Sequence, residues 1–209
     1  MAGRKHYIFW KNYDVAQVYR QSKVLSSKNF VILIHRNLFG MTKSEALEYD
    51  HAMEGLQAAA RTYLLRDEHA DALARTFFVD LNESFDKLDE EIRAAGGKKN
   101  FALLPLVWNI QGKASTRAYY GKRLLEINPN ILQDLYLYIR NGWWPFLLGF
   151  PKLLIPSSSW NARERMINAL NQYVFEDPAD DVSGFVKSKL RAEYGKGAMA
   201  KDFLGFLFG

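Results

Sequence analysis

The chain has 209 residues and a mass of 24.1 kDa, with 48% hydrophobic and 24% charged residues and a formal net charge of +5. That composition excludes a disordered chain and suffices for one core without disulfide or metal staples. Cysteine is absent, which excludes disulfides, zinc ribbons, iron–sulfur clusters, cysteine nucleophiles and a thiolate ligand to haem from this chain.

The four histidines, His6, His35, His51 and His69, lack His-x-x-x-His or His-Glu-x-x-His spacing, so no metal site is expected. No Gly-rich loop with Lys-Ser/Thr is present to cradle phosphate. Acidic residues are spread among the basic ones and no recognition module is readable, so nucleic acid is not expected as a partner. The apolar stretches Phe30–Ile34 and Trp143–Ile155 fall short of the roughly 20 residues that a membrane span needs. Met1–His6 is polar and basic, unlike a secretory signal, and the expected location is intracellular.

Helices separated by short breakers account for most of the chain. Tyr7–Trp10 reads as a short strand, and Asp14 as a cap for Val15, Val18 and Tyr19. Phe30–Phe39 follows, a helix or strand by its apolar half, with Gly40 suited to a helix stop. Thr42-Lys43-Ser44-Glu45 matches a capping box and opens a helix through Ala46, Leu47, Met53, Leu56, Ala60 and Leu64. A charged break at Arg66–Asp71 precedes Leu73, Phe77, Leu81, Phe85, Leu88 and Ile92, spaced by three and four and ended by Gly96-Gly97. Asn100 is read as the cap of the next helix, which runs from Phe101 towards Tyr119 and stops at Gly121.

Asn128-Pro129 marks another start, with Ile131, Leu132, Leu135, Tyr138 and Ile139 as its buried face and Gly142 as its end. Ser159 is read as a cap for Ala162, Met166, Ala169, Leu170, Tyr173 and Val174. The acidic loop Glu176–Asp181 leads to a segment from Val182 to Tyr194. Ala198–Gly209 is apolar and resembles the opening of a buried helix, from which a truncated chain is expected.

Ser115–Gly121 (STRAYYG) and the following LLEINPNILQDLYLYIRNGWWPFLLGFPKLLIP resemble the fungal microsomal-type cytochrome P-450 monooxygenases related to sterol hydroxylases and prostacyclin synthase. Thr116, Arg117, Ala118, Tyr119, Tyr120 and Gly121 match that family's turn after helix E. Leu124, Leu125, Glu126 and Pro129 match its start of helix F. Asp14–Arg20 resembles its helix B, Phe30–Gly40 its B′ region, and Gly197–Gly209 the beginning of helix I.

The resemblance implies a mainly α, partial cytochrome P-450 fold, from helix B to the start of helix I, with little or no β structure. Residues 1–209 would then form a single incomplete domain, the N-terminal half of a haem-thiolate monooxygenase. Complete members use haem to oxygenate a lipophilic small molecule, a sterol-like lipid or natural product. Here the haem-ligating cysteine, the helix K Glu-x-x-Arg and the helix I threonine have no counterpart. Glu90-x-x-Arg93 has the right letters in the wrong place and reads as exposed charges on one helix face. No catalytic, haem-binding or metal residue is carried over, and the chain alone is expected to bind no haem and to be inactive. A second chain supplying the haem-ligating half is one expected partner.

Two stretches remain as candidate sites. Trp143, Trp144, Phe146, Leu147, Leu148, Phe150, Lys152 and Leu153 form an apolar, proline-broken run with aromatic and lysine anchors, which suits a membrane–water boundary. The other reading is a loop packed on the core. In the resembled family this region dips into the bilayer, so peripheral association with the endoplasmic reticulum membrane is expected. Ile34, Leu38 and Phe39 would face an apolar ligand if Phe30–Phe39 is the B′ element. Apolar stripes are otherwise core. The competing function is a non-catalytic, all-α protein that binds membrane, lipid or another chain.

Overall fold

The computed structural model describes residues 28–141, 143–192 and 194–208, together with Lys11, Tyr13 and Gln17. The strand read at Tyr7–Trp10, the cap at Asp14 and its helix, His6, the Gly142 stop and Gly209 lie outside the described residues. Among the described residues the architecture is helical and contains no strand, as the mainly α expectation required.

Helix α1 spans Lys28–Asn37 and is followed by Gly40 at φ +76°. The apolar half of Phe30–Phe39 is therefore helix, and Leu38 and Phe39 lie in the turn that follows it. Helix α2, Lys43–Leu64, begins with the predicted capping box: the Glu45 N–H donates to Thr42 Oγ1 at 3.2 Å, and the Thr42 N–H donates to Glu45 Oε2 at 2.6 Å. The same carboxylate accepts from Lys201 Nζ at 2.8 Å on each oxygen, so one residue both caps α2 and ties it to the last helix. Helix α3, Asp67–Ala94, starts earlier than expected. Within the charged stretch Arg66–Asp71 only Arg66 stays outside the helix, as its N-cap residue, and Glu68, His69 and Asp71 lie exposed in the opening turns, where charge costs little.

Helix α4 spans Leu103–Tyr120 and runs along α3. Its N-cap is Ala102 rather than Asn100, with no side-chain cap. Pro105 falls in the first turn, where its missing N–H has no intrahelical acceptor to lose. Short α5, Arg123–Ile127, was not foreseen. The Asn128 side chain accepts from the Asn130 N–H at 3.0 Å, and helix α6 begins after this turn, spanning Ile131–Asn141.

Helix α7, Trp143–Leu147, and a 3₁₀ turn, Lys152–Leu154, lead to helix α8, Ser157–Phe175. Ser159 is not its cap. Pro156 is the N-cap residue, and Ser159 is buried with Oγ 3.4 Å from the Leu137 carbonyl, to which it donates. Helix α9 occupies only Gly184–Leu190 of the segment expected from Val182 to Tyr194, capped by the Ser183 hydroxyl. Helix α10 spans Lys196–Phe208.

The core is built around α8, which packs on both α6 and α10. Ala162, Met166, Ala169, Leu170, Tyr173 and Val174 all face inward, joined by Met199, Phe203 and Leu204 of α10 and by Leu135 and Tyr138 of α6. The Ser115–Gly121 motif is a junction within this core. Arg117 is 2.5 Å from Asp80 of α3, Tyr120 donates to the Phe203 carbonyl at 3.3 Å, and Tyr173 donates to the Tyr120 carbonyl at 2.8 Å. Gly121, at φ +70° and ψ −167°, ends α4 in a conformation open to glycine alone.

Candidate functional site

The C-terminal end of α1 is held from three directions. Tyr138 Oη donates to the Leu38 carbonyl at 2.7 Å, Asn37 Nδ2 donates to the Leu147 carbonyl at 2.9 Å, and Arg163 Nη1 donates to the Asn37 carbonyl at 3.4 Å. These bonds tie the two stretches singled out in the sequence to one another. Leu38 and Phe39 are buried and Ile34 is half-buried against the same core. The Phe39 ring lies so close to Gly205 of α10 that a Cβ there would fall 2.7 Å from it.

The Trp143–Leu154 segment divides into an inner and an outer side. Trp143, Trp144, Leu148, Phe150, Leu153 and Leu154 are exposed, Leu153 at 93%. Lys152 is exposed too, its ammonium 5.1 Å from the Trp160 ring centroid. Leu147 is half-buried. Phe146 does not belong to the outer side: at 2% exposure it packs on Tyr138 and stacks on Trp160 at 5.6 Å. The Arg163 guanidinium, 4.3 Å from the Phe146 ring and 4.5 Å from the Trp160 ring, holds both aromatics inward. From residue 135 to residue 163 the chain carries three cations, Arg140, Lys152 and Arg163, and no carboxylate.

A separate cleft of about 470 Å³ opens between α4, α6 and α10. Leu104, Val107 and Trp108 of α4, Leu132 of α6, and Phe206 and Leu207 of α10 form its apolar walls. None of Ile34, Leu38 and Phe39 lines it. Sequence reasoning missed it because no local pattern announces that α4 and α6 leave a gap beside α10.

Lys189 of α9 and Asp202 of α10 form a second unforeseen group. Their side chains are buried 2.6 Å apart, and Tyr194 Oη donates to Asp202 at 2.8 Å. His35 lies close by. It donates from Nδ1 to the Val31 carbonyl, 2.9 Å away, and stacks on Tyr49 at 4.2 Å. Burial pushes the His35 pKa below its ordinary 6.5.

Among the described residues no helix is long and apolar enough to cross a membrane, and no three His, Asp or Glu side chains cluster to hold a metal ion. Arg93 pairs with Asp89 on the exposed face of α3, so Glu90-x-x-Arg93 is surface charge.

The chain is similar to the cytochrome P450 monooxygenase poxD of Penicillium oxalicum, with 31% identity over 169 residues. The aligned part is 80% of this chain and 34% of that protein, so the chain spans about a third of the length of the curated relative it matches. No protein-family model and no solved structure matches. The similarity supports kinship with the cytochrome P450 monooxygenases, and the all-helical architecture is consistent with a partial fold of that kind.

Proposed function

We propose that this chain is the part of a haem-dependent monooxygenase fold that lies ahead of the haem ligand, and that it does not oxygenate substrates by itself. The observation carrying this reading is the match over 80% of the chain to a cytochrome P450 monooxygenase. In complete relatives of the proposed fungal microsomal kind, haem supplies oxygen activation, with a cysteine thiolate pushing electron density onto the iron. The donor set here does not fit that group. The sequence encodes no cysteine, His35 is engaged with Val31 and Tyr49, and the His69 ring leans on Tyr63 at 4.8 Å. No chemical step is therefore assigned to this chain. A haem-ligating segment outside these 209 residues would carry the thiolate and complete the fold, and the substrate would be a lipophilic small molecule.

The test is reconstitution of the purified chain with haem, followed by the carbon-monoxide difference spectrum. No thiolate-type band is expected. Such a band, or hydroxylated product with electrons supplied, overturns the reading.

A second reading, peripheral attachment to a membrane surface, draws on the exposed Trp143, Trp144, Leu148, Leu153 and Leu154 beside Lys152 in a stretch free of carboxylates. Aromatic, leucine and lysine side chains together suit the headgroup region. It is compatible with an intracellular chain on the endoplasmic reticulum face. Leu153→Asp, at a fully solvated position, should weaken co-sedimentation with liposomes. Unchanged partitioning of that variant removes the reading.

A further inference from the structure

We propose that the cleft where the end of α2 and the start of α3 meet the loop into α9 is a binding site for a short primary alkylammonium ion. It encloses about 260 Å³. That is below the roughly 300–1,000 Å³ of sites for larger ligands, so it suits a chain of a few carbons and not an extended lipophile. It shares no lining residue with the apolar cleft between α4, α6 and α10 or with the exposed Trp143–Leu154 segment.

The lining carries acidic charge in a basic chain. Asp180 and Asp181 stand in it and no Lys or Arg does, although the net charge of the whole chain is +5. An anion brought there would be repelled by both carboxylates, whereas an ammonium group is attracted by both. Their loop holds them in place. Asp181 Oδ2 accepts from the Lys122 N–H at 2.9 Å, and the Ser183 N–H donates to the Tyr119 carbonyl at 3.0 Å. Lys187 Nζ donates to the main-chain carbonyl of Asp180 at 3.0 Å, and among the described residues no side chain pairs with the Asp180 carboxylate.

The remaining walls are aromatic or apolar. Tyr63 supplies one ring, His69 leans on it at 4.8 Å, and a cation beside such a ring gains a further attraction. Gly184 lets the Tyr63 ring approach: a Cβ there would lie 2.7 Å from Tyr63 Cε1, so another residue would push the ring away. Phe185 is a fixed wall, its ring 5.0 Å from that of Phe206 and 5.3 Å from the Lys189 ammonium. Thr76 donates its hydroxyl proton to the Ala72 carbonyl at 3.2 Å and is left with acceptor capacity alone. Two carboxylates and this hydroxyl oxygen match the three N–H donors of a primary ammonium in number, whereas a quaternary ion offers them nothing to accept.

The test titrates the full chain with butylammonium chloride at low salt and follows the backbone amide NMR signals of Ala118 and Gly184. Saturable shifts of both are expected, with 1-butanol and sodium butyrate binding about tenfold more weakly. Sodium chloride at about 0.5 M should weaken the amine and leave the alcohol unaffected. Asp180→Asn, at an exposed position and so harmless to folding, should weaken butylammonium by about threefold. Gly184→Ala, which displaces the Tyr63 ring, should weaken it as well. Absence of saturable shifts, an equal response to 1-butanol, or full affinity in Asp180→Asn overturns the proposal. So does tighter binding of tetramethylammonium than of butylammonium, because the carboxylates would then not be accepting hydrogen bonds from the ligand.

Discussion

Lys189 and Asp202 meet inside the core, with the ammonium nitrogen 2.6 Å from Oδ2 and both side chains only 6% exposed. The lysine also lies within 5.3–5.4 Å of the ring centroids of Phe185, Phe203 and Phe206. Asp202 accepts a further hydrogen bond from Tyr194, and burial together with that carboxylate raises the tyrosine's pKa well above its ordinary range. A buried pair of this kind contributes little beyond well-packed apolar replacements, but breaking it leaves one charge stranded.

Removing one partner should therefore be severe. Lys189→Met is expected to cost about 3–5 kcal/mol, read from the urea midpoint at unchanged slope. Lys189→Met combined with Asp202→Asn should recover part of that loss, because asparagine is uncharged yet still accepts from Tyr194. If the double variant is no more stable than Lys189→Met, the loss comes from packing around the three phenylalanines and not from the stranded carboxylate.

The Thr42 cap offers a smaller and separable effect. Thr42→Ala removes the acceptor for the Glu45 N–H and should cost about 1 kcal/mol in the same measurement. Burial alone would raise the Glu45 pKa, but Lys201 and the Thr42 contacts outweigh it and hold the carboxyl below its ordinary 4.5. Folding then favours the ionised form. The contribution is complete above about pH 4.5 and is lost as the pH falls through the lower folded-state value. Glu45→Gln should flatten the stability profile in that acid window. An unchanged profile rules Glu45 out as its source.

Among the described glycines, Gly121 combines a positive φ with the shortest approach to a neighbouring side chain. Any side chain there would be strained at φ +70°, and its Cβ would lie 2.6 Å from Asp181 Oδ1. That carboxylate also accepts from the Lys122 N–H at 2.9 Å, so it cannot withdraw without releasing the turn. Gly121→Ala is expected to destabilise the chain by about 1–3 kcal/mol from backbone strain, with the clash in addition. A variant as stable as the parent would show that the α4 end relaxes freely.

Much of the helical framework is legible locally. The α8 face could be read from spacing because its inward residues follow a 3.6-residue period with little interruption. The capping box could be read because its bonds span only three residues. Other features escape for physical reasons. Lysine and aspartate are solvated by default, so nothing local reveals that Lys189 and Asp202 are paired in the core. An apolar run such as WWPFLLGFPKLLI does not state which side chains turn inward, and Phe146 is claimed by Arg163, seventeen residues away. Ser159 has cap chemistry but follows Pro156, which starts the helix three residues earlier. The cleft depends on how α4, α6 and α10 meet, a relation between segments nearly a hundred residues apart in sequence.

His35 gives the chain a pH response distinct from that of Glu45. Its ring faces Tyr49 of α2 and Phe39, its Nδ1–H is given to Val31, and the nearby charges are Asp202 of α10 and Lys189 of α9. Burial is the strongest influence and lowers its pKa. The Val31 carbonyl and Asp202 oppose that effect, while Lys189 reinforces it. The folded chain thus prefers neutral His35 more strongly than the unfolded chain does. Its contribution is complete above about pH 6.5 and declines as the pH falls from there through the lower folded-state value. The thermal midpoint should drop on acidification between about pH 6.5 and the onset of carboxylate protonation near 4.5, and His35→Phe should reduce that drop. In NMR titrations the His35 imidazole should take up its proton below its ordinary 6.5. If His35 instead titrates at or above 6.5, and His35→Phe keeps the full acid slope, the packing of His35 between α1 and α2 is not the source of the response.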